Sequence, residues 1–135
     1  MPLYEWTPSC SVRVKEFDKQ HQRLFGMIND LNAAMQARRG RGAIGSILAG
    51  LTAYAEEHFT AEETAMRRTS YPKVAEHHEE HQDFTKHISE FLAEYQSGNT
   101  LISISVLRFL NDWLQNHILR SDQEYAAHMN EHGIY

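Results

Sequence analysis

The chain has little cysteine, little proline and no long hydrophobic run, and each scarcity excludes a class of protein. The single cysteine, Cys10, rules out an intramolecular disulfide, so the 135 residues must fold without a disulfide framework. No apolar stretch approaches the roughly 18 residues that a membrane span requires. The first ten residues lack the charged and then apolar pattern of a secretory signal. We therefore expect a cytoplasmic protein with no membrane partner.

Excess positive charge is also absent. The net charge is −5 with histidine neutral, whereas nucleic-acid binding favours a strongly basic surface, so we expect no nucleic-acid partner. The basic cluster Arg38, Arg39 and Arg41 lies among three glycines and is interpreted as a solvated turn. The length and the 41% hydrophobic content suit one domain with one core. We expect a single domain over residues 1–135 that is monomeric.

Apolar residues recur at helical spacing in four segments of the chain. The segments cover about residues 18–38, 43–67, 72–96, and a stretch from about Thr100 past Asp122. Asp18 is interpreted as a helix N-cap, and Pro72 suits a helix start. Pro2 and Pro8 predict an extended N-terminal arm. Because the connections are short, the sequence predicts an all-α, antiparallel up-down-up-down four-helix bundle.

Polar residues interrupt these apolar stripes, and their positions are the most informative feature of the sequence. A buried imidazole or carboxylate without a partner costs several kcal/mol, so a group of them at one level of a bundle is better explained by a shared cation. Alternating helix directions bring the start of the first and third helices to the same end as the close of the second and fourth. The residues that meet there are His21, His58, Glu62, His77, His81, His117 and Asp122.

Asp122 fits this arrangement only if the fourth helix is irregular. It follows His117 by five residues, which is about 140° around a regular α-helix. Both side chains reach the interior only if the helix is distorted between them, and a π-bulge is the usual device at functional sites. The sequence therefore predicts a helix irregularity between His117 and Asp122.

Seven ligands indicate more than one metal ion. They are too many for one tetrahedral zinc, but they suit two six-coordinate ions bridged by carboxylates. Five imidazoles with two carboxylates favour iron, with manganese or cobalt as substitutes in vitro. Ferritin-like di-iron proteins use Glu-x-x-His pairs, and none of the nine histidines has a glutamate three positions earlier. This observation argues against a carboxylate-rich, oxygen-activating site.

The motifs around these residues resemble the hemerythrin family, and in particular its single-domain bacterial members. The resemblance covers nearly the whole chain and rests on Trp6-Thr7, Phe17-Asp18-Lys19-Gln20-His21, His58-Phe59-Thr60-Ala61-Glu62-Glu63, Tyr71-Pro72, His77, His81, Trp113-Leu114-Gln115-Asn116-His117-Ile118 and Asp122. It implies two non-haem iron ions with an oxo or hydroxo bridge and reversible binding of dioxygen.

The resemblance also implies roles for the residues. His77, His81 and His117 would hold one iron, His21 and His58 the other, and the two carboxylates would bridge them. The iron with two histidines would keep an open position for dioxygen. The apolar residues expected to line the ligand pocket are Phe59, Phe84, Trp113, Leu114 and Ile118.

Two other functions remain open at this point. The same centre in an enzyme would reduce peroxide, nitric oxide or nitrite, or oxidise iron. Such turnover needs electrons, and the chain carries no flavin or iron–sulfur signature, so a partner reductase would be required. The third possibility is a regulatory module whose ligand state is sensed by a partner protein.

The side chains near the ligands receive the following interpretations. Glu63 is interpreted as solvated or supporting, and His78 and the Glu79–Glu80 pair as surface residues. Tyr125 is interpreted as a packing residue or as a hydrogen-bond donor to a bridging carboxylate.

Overall fold

The computed structural model describes residues 4–99 and 101–135, and it is built from helices. They are α1 (Lys15–Gln36), α2 (Gly40–Arg68), α3 (Val74–Gln96), α4 (Ser103–Trp113), a π-helical segment (Leu114–Ser121) and α5 (Asp122–Glu131). The last three follow without a break and form the fourth rod of the bundle. Helix α1 packs against α2 and α4, and α2 packs against α3, which confirms the four-helix bundle. Pro2 and Thr100 lie outside the described residues.

The turn between α1 and α2 lies earlier than the glycine pattern predicts. The chain turns at residues 37–39, where Arg38 has a positive φ of 59°, and α2 begins at Gly40. The interpretation of the basic cluster as a solvated turn is therefore wrong for Arg41, and α2 begins three residues before the predicted start near Ala43. A Cβ on Gly45 would lie 2.7 Å from the hydroxyl oxygen of Tyr95 on α3. Gly45 thus lies where α2 and α3 approach each other closely, and this packing outweighs the low helix propensity of glycine.

The interpretation of Asp18 as a helix N-cap is also wrong. Helix α1 starts at Lys15, and Asp18 lies in its first turn. The Asp18 carboxylate accepts hydrogen bonds from the Val12 backbone N–H at 2.9 Å and from the Ser11 hydroxyl at 2.6 Å. It therefore fastens the N-terminal arm to the start of α1, near the helix end where a negative charge is favoured.

Two apolar clusters fill the molecule. The larger one runs through the middle of the bundle and includes Leu24, Leu51, Phe84 and Leu110. The smaller one closes one end, and we call it the cap. The cap consists of Val12, Val14, Phe17, Ala65, Met66, Tyr71, Tyr125, Ala126 and Met129. The N-terminal arm, the end of α2 and α5 all contribute to it, so this end of the bundle is covered.

Crossing a lipid bilayer would require a helix that is both long and apolar. Within the described residues, no helix combines the two properties.

Candidate metal centre

The structure brings all seven sequence-predicted polar residues together between the central cluster and the cap. Each residue is at most 2% exposed. They come from α1 (His21), α2 (His58 and Glu62), α3 (His77 and His81), the π-helical segment (His117) and the first residue of α5 (Asp122).

The seven residues form two groups that share both carboxylates. One group contains Glu62, Asp122 and three histidines, and the other contains Glu62, Asp122 and two histidines. Within each group, one potential ligand atom from every residue lies within 4.8 Å of all the others. We call the first the three-histidine position (His77, His81 and His117) and the second the two-histidine position (His21 and His58).

At the three-histidine position the Nε2 atoms converge on carboxylate oxygens. His77 Nε2 lies 2.6 Å from Asp122 Oδ1, and His117 Nε2 lies 3.0 Å from the same oxygen. His81 Nε2 lies 3.2 Å from Glu62 Oε1. Three nitrogen donors and two different carboxylates therefore face one small volume.

At the two-histidine position the histidines face the second oxygen of Asp122 and both oxygens of Glu62. His21 Nε2 lies 3.1 Å from Asp122 Oδ2 and 3.7 Å from Glu62 Oε2. His58 Nε2 lies 3.1 Å from Glu62 Oε1. Asp122 thus directs one oxygen to each position, which is the geometry that a bridging carboxylate requires.

The predicted irregularity in the fourth helix is confirmed. Residues 114–121 are π-helical, and the Asp122 backbone N–H donates to the His117 carbonyl oxygen. This i to i+5 bond replaces the i to i+4 bond of an α-helix, so residues five apart return to one face. His117 and Asp122 consequently both point into the centre.

Several buried atoms of this cluster lack a hydrogen-bond partner among the described residues, which tests whether a metal fits. The potential ligand atoms among them are Nε2 of His21, His58, His81 and His117, Oε1 of Glu62 and Oδ2 of Asp122. All of them face the shared volume, and leaving such atoms unpaired costs free energy. Imidazole nitrogens and carboxylate oxygens are ligands of iron and related transition metals. The donor set and its unpaired atoms therefore fit two cations.

Charges in the metal-free cluster are coupled. Burial lowers the pKa of His21 and of His117, but Asp122 outweighs it and raises these pKa values to about 9 and about 10. Burial likewise raises the pKa of Asp122 and Glu62, but the surrounding histidines outweigh it and hold both pKa values well below the usual range. For His58 burial prevails and lowers the pKa. Without metal, the centre is a buried set of ion pairs.

These charges predict a pH dependence of metal uptake. Since the pKa values of His21 and His117 are raised, both rings are imidazolium cations at neutral pH, and each must lose its second N–H proton before that nitrogen can bind a metal. We expect the apparent affinity for Zn²⁺ to increase about tenfold per pH unit for each displaced proton between pH 6 and 8. Competition with a chromophoric chelator at three pH values measures this slope, and an affinity independent of pH would contradict it.

Four further side chains contact the cluster from outside. Gln20 accepts from His58 Nδ1, Glu63 accepts from His81 Nδ1 at 2.8 Å, and Glu80 Oε1 lies 3.3 Å from His117 Nδ1. The Tyr125 hydroxyl donates to Glu62 Oε2, which is the hydrogen-bond alternative considered for this residue. The sequence interpretation assigned no role to Gln20 and placed Glu80 on a charged surface, because neither residue lies on an apolar stripe.

Aromatic rings surround the ligand histidines. Phe59 stacks on His81 with a centroid distance of 3.9 Å, and Trp113 stacks on His117 at 4.0 Å. The other three predicted pocket residues are buried in the central cluster; these are Phe84, Leu114 and Ile118. Phe84 contacts both Phe59 and Trp113 rather than a ligand ring.

Tyr54 is a pocket neighbour that the sequence interpretation left on the apolar stripe of α2. Its ring stacks on His58 at a centroid distance of 5.1 Å, and it is 1% exposed. Its hydroxyl has no hydrogen-bond partner among residues 4–99 and 101–135. Its place four residues before His58 puts both on one helix face, so the spacing alone carried a usable signal.

The buried cluster of histidines and carboxylates at one end of the four-helix bundle places this chain among the helical-bundle metal-binding proteins. Residues 12–129 match the sequence profile of the hemerythrin HHE cation binding domain. The chain therefore belongs to the hemerythrin family.

Named relatives agree with this assignment. A bacteriohemerythrin of Stenotrophomonas maltophilia is 34% identical over 97% of this chain and 87% of its own length. A bacteriohemerythrin of Methylococcus capsulatus is 32% identical over 93% of this chain and 96% of its own. A crystal structure of a wild-type hemerythrin superposes with a TM-score of 0.83 at 32% identity, covering 94% of this chain and 98% of that one.

Proposed function

We propose that this protein binds dioxygen reversibly at a non-haem di-iron centre and acts as an oxygen-binding protein rather than as an enzyme. One observation carries the proposal: the two positions share both carboxylates but divide the five histidines unequally. The two-histidine position has one protein ligand fewer, which leaves room for a small exogenous ligand. Membership of the hemerythrin family supports the same conclusion.

The proposed roles of the ligands follow from this division. His77, His81 and His117 would hold one ion, His21 and His58 would hold the other, and Glu62 and Asp122 would be shared by both. When bound, two ferrous ions side by side supply the two electrons that reversible dioxygen binding needs.

The surrounding residues keep this chemistry reversible. Phe59 and Trp113 cover the rings of His81 and His117 at the three-histidine position, and Tyr54 covers the ring of His58 beside the open position. All three aromatic residues are at most 7% exposed. A dry, apolar surrounding keeps protons and water away from a bound ligand, which favours its release unchanged over its reduction. Tyr125 holds one oxygen of Glu62, so this carboxylate keeps its orientation. The cytoplasmic location, the single domain and the monomeric state stay predictions from the sequence.

An anaerobic optical titration tests the proposal. Adding dioxygen to the di-ferrous protein is expected to produce a visible charge-transfer band, and purging with argon is expected to remove it. His21→Ala removes a ligand of the open position and should abolish the band. His132→Ala is the matched control, because His132 is an exposed histidine outside both ligand groups, and its Nδ1 bonds to the His128 carbonyl oxygen. A band that never forms, or that decays at once with release of peroxide, would rule out the carrier function.

A further inference from the structure

The two metal positions differ in what stands behind their histidines. His81 Nδ1 donates to Glu63 Oε2 at 2.8 Å, and His117 Nδ1 lies 3.3 Å from Glu80 Oε1. On the two-histidine side, His58 Nδ1 donates to the amide oxygen of Gln20. Two carboxylates therefore support the three-histidine position, whereas a neutral amide supports the other.

Glu63 is the best-fixed of these outer partners. It is 7% exposed, and its two carboxylate oxygens accept hydrogen bonds from different donors. Oε2 accepts from His81, while Oε1 accepts from His78 Nδ1 at 2.6 Å and from Arg67 Nη2 at 2.9 Å. The Arg67 side chain is 62% exposed, so water screens its charge more than it screens the buried oxygen that faces His81.

Glu80 contacts its histidine less closely. Its side chain is 39% exposed, and Oε1 also accepts a hydrogen bond from the Ser121 hydroxyl at 2.8 Å. The longer distance to His117 and the greater exposure make its influence on the ring weaker than that of Glu63.

A carboxylate behind a metal-bound imidazole has two effects. It fixes the ring with Nε2 towards the metal, and it raises the basicity of the ligand nitrogen. Its negative charge also favours a cation nearby, whereas an amide oxygen provides orientation without a full charge. The outer partners consequently make the two positions electrostatically unequal even though they share both bridging carboxylates.

We propose that Glu63 is a positioning residue that acts through His81 to make the three-histidine position the tighter of the two metal positions. Gln20 leaves the two-histidine position the weaker one, so the position with the open coordination site fills last and empties first. This inference rests on the proposed two-metal centre but does not require that dioxygen binds.

A titration of the metal-free full-length protein with Co²⁺ tests the inference without any oxygen chemistry. Cobalt absorption distinguishes ions by coordination number, so the titration assigns each stepwise binding constant to a position. The wild type is expected to bind two ions, with the tighter ion in the coordinatively full position.

The variant Glu63→Gln keeps the size of the side chain and an acceptor oxygen but removes the charge. We expect this variant to weaken Co²⁺ binding in the tighter step by roughly 10- to 100-fold, the range typical when a hydrogen-bond partner of a metal ligand is lost. The binding constant of the weaker step should change by no more than about twofold. Gln20→Glu is the reciprocal variant and should tighten the weaker step. Glu79→Gln is the matched control, because Glu79 is an exposed acid on α3, the helix that carries His81, and its replacement removes the same charge.

The outcomes separate the inference from the proposed function. Unchanged constants in Glu63→Gln, or equal weakening of both steps, would overturn the inference while the two-metal centre stands. An equally weakened tighter step in Glu79→Gln would show that the net charge of the protein, rather than the contact between Glu63 and His81, sets the affinity. That result would also overturn the inference. A wild type that binds fewer than two ions would overturn the proposed centre and the inference with it.

Discussion

Replacing Glu62 by alanine is expected to abolish stable binding of both metal ions. Glu62 belongs to both ligand groups, and its Oε1 lies 3.1 Å from His58 Nε2 and 3.2 Å from His81 Nε2. A single truncation therefore removes one ligand from each position and opens a void in a site that is 0% exposed. It also leaves the Tyr125 hydroxyl without its acceptor. Metal analysis after dialysis of the reloaded variant measures the effect.

The matched variant is His21→Ala, because His21 belongs to one ligand group only. It should keep the ion at the three-histidine position and lose the other. Circular dichroism of both metal-free variants shows whether the bundle still forms. Retention of both ions in Glu62→Ala, with the helical spectrum intact, would contradict the bridging role.

Metal removal is expected to destabilise the protein strongly. Without a cation, six buried ligand atoms lack hydrogen-bond partners among the described residues. A metal that binds only the folded chain adds about 4 kcal/mol at a thousandfold excess over its dissociation constant. For a domain of this size, that corresponds to an increase in melting temperature of roughly 10 °C or more.

Thermal unfolding of the chelated and the reloaded protein measures this difference. The control is Glu62→Ala, which should unfold at the same temperature with and without added metal. An equal melting temperature for the chelated and reloaded wild type would show that the ion pairs of the empty centre already satisfy the cluster.

The placement of the seven polar residues could be predicted from the sequence because it depends on local periodicity. Helical spacing places His58 and Glu62 on one face, and the alternating direction of the helices places all four contributions at one end. The π-helical segment was predictable for the same reason, since His117 and Asp122, five positions apart, cannot share one face of an α-helix.

Gln20 and Glu80 could not be predicted as outer partners because their contacts depend on tertiary packing, whereas Glu63 and Tyr125 were considered for such roles from their positions near the ligands. Glu80 on α3 reaches His117 on the π-helical segment, and nothing in its local spacing separates it from other surface acids. The glycine region failed for a related reason. Helix propensity argues against a helix at residues 40–42, but the close approach of Gly40 to Ser103, where a Cβ would lie 3.2 Å from the hydroxyl oxygen, is invisible until α2 and α4 are packed.

The cap has a consequence for the speed of metal exchange. Its aromatic residues contact ligand rings directly: Phe17 lies against His58, and Tyr71 against His77. The arm is tied to α5 by side-chain bonds, from Gln123 to the Cys10 carbonyl and from Asn130 to the Arg13 carbonyl. An ion that leaves by this end must wait for these contacts to separate. Along this route the lifetime of the loaded centre depends on a local unfolding rate as well as on the metal–ligand bonds, so iron can be retained kinetically even when free iron is scarce.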